Sequence, residues 1–137
     1  MVQEIINRWE ENKHKLEYYF RKTRQSEYDD YGKILDKIFE LVINDENEYE
    51  HKKFDIDKRT TIDDGEYQGT VIFIIPKKTY QPGVEDYIIT DTYYGSCSGC
   101  DTLLSISEYN EGIPNDDQLK QYMTLALHLV QKMRWLG

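Results

Sequence analysis

The stretch "FDIDKRTTIDDGEYQGTVIFIIP", residues 54–76, decides the fold. Phe54, Ile56, Lys58 and Thr60 alternate with Asp55, Asp57 and Arg59, a period of two that predicts a strand. The "DDG" at 63–65 is a hairpin signal, and "EYQGTVIFIIP" follows as a β-branched strand. Val71-Ile72-Phe73-Ile74-Ile75 is apolar on both faces. Such a strand is either covered on both sides or covered on one side with the other meeting a partner. Pro76 ends it, because proline has no N–H to give the ladder.

Outward from this hairpin the period changes to that of helices. On the N-terminal side, Ile5, Trp9, Leu16, Tyr19 and Phe20 recur at helical spacing and predict a helix over 3–24. Ser26 is placed to cap a second helix, with Asp29 and Asp30 in its first turn, where carboxylates favour the dipole. Tyr31, Ile34, Leu35, Ile38, Phe39 and Val42 form its apolar stripe, which should stop near Asn44, and "NDENEYEHKK" at 44–53 is a polar connection. On the C-terminal side, "DYIITDTYYG" predicts a third strand, and "DTLLSISEYN" a short helix capped by Asp101. Asn115 with Gln118 three residues on makes a capping box for a last helix, whose stripe is Leu119, Tyr122, Met123, Ala126, Leu127, Val130 and Met133. The expected fold is a single α+β domain over 1–137: two helices, a three-stranded antiparallel meander, a short helix, and a long C-terminal helix on the sheet.

Composition narrows the function. At 137 residues and 39% hydrophobic content the chain can bury a core without a metal or a disulfide. No run approaches the ~18 apolar residues of a membrane span. The N-terminus "MVQEIINRWEENK" has no secretory pattern, so a cytoplasmic location is expected, with reduced thiols. The net charge is -9, and it is unevenly spread. Residues 27–51 hold nine acids and two bases (2 − 9 = -7), residues 81–112 six acids and no base (-6), and residues 1–26 six bases and four acids (+2). Two acidic blocks repel nucleic acid and anionic lipid and suit a basic protein partner. The candidate partner-binding residues are Asp29, Asp30, Glu46, Glu48, Tyr93, Tyr94 and Asp101. Solubility alone also accounts for such charge.

Both cysteines fall in "YYGSCSGCDTLLSI", as the C-x-x-C pair Cys97 and Cys100. Three readings compete. A thiol-redox centre at a helix N-terminus is one, but Asp101 adjoins Cys100, and a negative neighbour raises a thiol pKa. A zinc half-site is another. It needs ligands from His14, His51 and His128, or a homodimer pooling two pairs. The third is a structural turn, in which Gly95 and Gly99 supply backbone freedom and the thiols pack as small apolar groups. No phosphate loop, dinucleotide fingerprint, nucleophile elbow or zinc-protease motif is present, so no catalytic residue is named and the expected role is non-enzymatic.

"TYQPGVEDYIITDTYYGSCSGCDTLLSI" together with "QLKQYMTLALHLVQKMRWL" resembles a small protein family encoded by tailed bacteriophages, over about residues 50–136. Its most specific part is Tyr94 through Leu103. The resemblance implies a setting and no mechanism: a host-takeover factor, an inhibitor of bacterial defence such as CRISPR or restriction, or another accessory protein in the host cytoplasm.

Overall fold

The computed structural model describes residues 3–28, 30–65, 68–95, 101–107 and 111–137. Asp29, Cys97 and Cys100 lie outside the described residues. Among the described residues the architecture is α+β, with four α-helices and a four-stranded antiparallel sheet. Helix α1 (Gln3–Lys22) buries Ile5, Trp9, Leu16 and Phe20. Helix α2 (Tyr31–Ile38) continues into a π-helical turn, Phe39–Ile43. Strands β1 (Thr60–Asp63), β2 (Gly69–Pro76) and β3 (Tyr87–Tyr94) form the meander. Helices α3 (Thr102–Ser107) and α4 (Asp116–Gln131) follow, then strand β4 (Arg134–Trp135).

Burial alternates along β2 and β3, so the helices lie on one face of the sheet. Val71, Phe73, Ile75, Ile88, Thr90 and Thr92 point into the core. Thr90 is buried because its hydroxyl donates to the Leu129 carbonyl of α4 at 2.6 Å, which satisfies the group and ties sheet to helix. Across the core, Phe20, Tyr28 and Tyr122 meet with ring centroids 5.0–5.4 Å apart. The Tyr122 hydroxyl donates to the buried Gln25 side chain. The capping box at Asn115 and Gln118 is present as the spacing predicts.

Three expectations need correction. The sheet has four strands, because the chain leaves α4 at Gln131 and Arg134–Trp135 pairs with Ile89 and Ile88. Two residues carry no periodicity, and the pairing is non-local. The first strand starts at Thr60: Phe54 makes a single bridge to Lys77, and Ile56–Lys58 forms a 3-10 turn. The cause is Asn44, whose amide takes the place of a neighbouring strand. It donates to the Phe54 carbonyl (2.9 Å) and accepts from the Phe54 N–H (2.9 Å). Finally, α2 begins after Asp30 and not after Ser26. Gln25–Tyr28 makes a 3-10 turn that buries Gln25 and Tyr28, and the Asp30 carboxylate caps α2 by accepting from the Lys33 N–H at 2.8 Å.

Candidate functional site

Where β1 and β2 run past the helices, the inner face of the sheet opens into a cleft of about 420 Å³. Val71, Phe73, Leu103 and Leu104 give it an apolar lining. Asp30 and Tyr31 come from the start of α2, Thr61 and Asp63 from β1, Tyr94 from the end of β3, and Asp101 from the start of α3. Arg59 is the one cation among the described lining residues. Its guanidinium is turned aside to Asp36 and to the Ile56 carbonyl. Burial pushes the Asp36 carboxyl up from its ordinary range, against the downward pull of Arg59.

Asp101 is 6% exposed and joins three elements. It accepts from the Tyr31 hydroxyl (2.8 Å), the Gly95 N–H (2.9 Å) and the Leu104 N–H (3.2 Å). Tyr31 in turn accepts from the Leu103 N–H at 3.2 Å. Together Tyr31 and Asp101 satisfy the first N–H groups of α3, which would otherwise be unpaired in a buried place. Burial pushes the Tyr31 hydroxyl well above the ordinary tyrosine range. The Gly95 bond also joins the two described ends that flank the cysteine segment.

Asp63 stands at the rim, exposed. The Tyr94 hydroxyl and the Gly65 N–H donate to it and hold its carboxyl below the usual carboxylate range. The same bond pushes Tyr94 up to about 12. Asp63 therefore stays anionic and is a poor base, and the oxygens of Asp101 are occupied. Chemically, the cleft is suited to holding positive charge over an apolar floor.

Of the residues singled out from the sequence, Asp30, Tyr94 and Asp101 converge on this cleft. Asp101, named both as the cap of α3 and as a partner-binding candidate, is buried, and its carboxylate closes the α2–β3–α3 junction. Tyr93 faces the opposite side of the sheet and is 51% exposed. Glu46 is exposed in the polar connection. Glu48 is half-buried and paired with Arg8, which also donates to the Ile43 carbonyl at the end of the π-helical turn. Sequence reasoning missed Tyr31, Arg59 and Asp63. "DDG" carried a signal for Asp63, but only as a turn. Tyr31 fits the apolar stripe of α2, and nothing local shows that its hydroxyl serves α3.

Among the described residues no group of three His, Cys, Asp or Glu side chains could hold a metal. No helix of the described residues is long and apolar enough to cross a membrane. Compared with family models, curated proteins and solved structures, the chain matches none of them.

Proposed function

We propose that this chain is a non-enzymatic binding protein that holds a basic protein partner at the cleft, by taking a lysine or arginine side chain into it. One observation carries the reading. The carboxylates of Asp30 and Asp63 stand beside an apolar floor, and the one cation among the described lining residues, Arg59, is already committed to Asp36. A long basic side chain can lay its methylenes on Val71, Phe73 and Leu103 and bring its charge to the rim. This narrows the acidic-block expectation, because many of those acids are spent locally. Asp36 pairs with Arg59, Glu40 with Lys37, Glu48 with Arg8, and Glu50 with Lys53 and Lys78. In the setting implied by the phage resemblance, the role is an accessory protein that occludes a host or defence protein.

The test is calorimetric titration with an arginine-rich peptide. Asp30→Asn keeps the α2 cap while removing its charge, and Asp63→Asn removes the rim anion. Each should weaken binding by about two- to five-fold, the worth of an exposed charge pair of up to ~1 kcal/mol, and the loss should shrink in high salt. Glu11→Gln and Glu46→Gln lie outside the cleft and should do less. Equal losses from all four variants would mean general charge attraction and no site. If Asp30→Lys with Asp63→Lys keeps full activity in a defence-evasion assay, the reading is wrong.

A further inference from the structure

A second recess, of about 250 Å³, lies between the start of α1, the polar connection 44–53 and β4. It shares none of its described lining residues with the cleft. The buried side chains of Ile5 and Phe54 and the half-buried ring of Trp135 give it an apolar floor. Trp135 is there because β4 pairs with β3, which sets its ring 5.9 Å from that of Phe54. The walls hold three cations and two carboxylates, a net of 3 − 2 = +1 in a chain whose net charge is -9. Arg8 is spent on both carboxylates, Glu4 at 2.9 Å and Glu48, and on the Ile43 carbonyl. Lys52 and Lys77 are not. Their sequence neighbours Lys53 and Lys78 pair with Glu50, whereas among the described residues Lys52 and Lys77 meet no carboxylate. Each lies against a ring instead: the Lys77 ammonium is 4.9 Å from the centre of Trp135, and that of Lys52 is 5.7 Å from Tyr49.

We propose that this recess binds a small phosphate monoester, with Lys52 and Lys77 on the phosphate and the apolar body of the ligand on Ile5, Phe54 and Trp135. Two ammonium groups without carboxylate partners are point charges suited to a dianion, and a carboxylate brings only one charge. The contact with Trp135 holds Lys77 in place before a ligand arrives, so less side-chain freedom is lost on binding. Arg8 offsets much of the repulsion from Glu4 and Glu48, because it already binds both. The net charge of -9 opposes any anion at long range, but that field is screened at physiological ionic strength, and contacts inside a recess are screened much less. Size limits the ligand. A volume of about 250 Å³ falls below the ~300–1,000 Å³ of sites for drug-sized molecules, so the body is a single ring or a short chain.

The experiment is titration of the whole chain with phenyl phosphate at fixed ionic strength, beside inorganic phosphate and benzoate. Binding is followed by nitrogen NMR of the two indole N–H groups. The Trp135 signal should move, and that of Trp9, which lies outside the recess, should not. Phenyl phosphate should bind with a dissociation constant at or below about 1 mM, an affinity in keeping with its few heavy atoms. Inorganic phosphate lacks the body and benzoate the second charge, so each should bind several-fold more weakly. Affinity should rise as pH climbs through ~6, where the phosphate takes its second charge. Lys52→Gln and Lys77→Gln should each weaken binding about tenfold, the worth of a charged hydrogen bond, while Lys120→Gln, outside the recess, should not. Lys52 is exposed, so its variant decides the matter if Lys77→Gln does not fold. A Trp135 signal unmoved at about 10 mM phenyl phosphate, ten times that limit, overturns the proposal. So does benzoate or inorganic phosphate binding as tightly, or an equal loss from Lys120→Gln, which would mean general charge attraction. None of these outcomes touches the cleft reading, because Asp30 and Asp63 take no part in this recess.

Discussion

The Tyr31 hydroxyl donates to the buried carboxylate of Asp101 at 2.8 Å, across 70 positions of sequence. This bond joins the start of α2 to the start of α3 and closes the inner wall of the cleft. Tyr31→Phe leaves an oxygen of Asp101 and the Leu103 N–H short of a partner. It should cost about 1–3 kcal/mol in urea unfolding. Asp101→Ala strips three donors and should cost about 3 kcal/mol or more, a large part of the ~5–15 kcal/mol a domain possesses. The double variant should lose less than the sum, because the two residues share one network. Strict additivity would mean the bond is not formed in solution.

Asn44 makes a paired clamp on Phe54, whose ring is buried against Phe39. Asn44→Ala leaves a backbone donor and an acceptor unmatched. A loss of about 2 kcal/mol is expected, with faster amide exchange at Phe54. Asn44→Asp keeps the acceptor and loses the donor, and should fall between the two.

Burial raises the hydroxyls of Tyr28, Tyr31 and Tyr122 above the ordinary tyrosine range. The unfolded chain therefore gives up these protons first, near pH ~10. Their contribution to stability is whole below that pH and falls as the pH rises toward the folded values. Tyrosinate absorbance should climb in two stages. The buried set, Tyr28, Tyr31 and Tyr122, should ionise last and only together with loss of the circular dichroism signal. A single smooth titration with the fold intact would contradict the buried placement.

Asp63 and Tyr94 titrate away from each other because each holds the other's favoured form. Followed by carbon NMR, the Asp63 carboxyl should ionise below the ordinary aspartate range, and Tyr94→Phe should move it back up. The stabilisation from Asp63 is present above its unfolded pKa of ~3.9 and is lost as pH falls through the lower folded value. An Asp63 titration unmoved by Tyr94→Phe would show the contact absent in solution.

For Cys97 and Cys100, the structural turn expected from the sequence predicts that a chelator leaves the melting temperature unchanged. Stoichiometric zinc, with thiols protected until unfolding, would instead establish the half-site, and a loss of stability in chelator would follow.

What the residues alone determined was local. The stripe of α1, the Asn115–Gln118 box of α4, the Asp101 cap of α3 and the two long strands each depend on groups within a few positions of one another, so spacing reveals them. Val71 through Ile75 were legible as strand but not as to which side is covered, because isoleucines on both faces satisfy either answer. Tertiary structure decided the rest. It added β4 from two residues without periodicity, and it replaced the Ser26 start of α2 with Asp30 because Gln25 and Tyr28 had to be buried. It also buried Asp101 and gathered Asp30, Arg59, Asp63 and Tyr94 around one cleft. The physical reason is the same in each case. A buried donor or acceptor must find its partner wherever the fold brings one, and that partner can be 70 residues away.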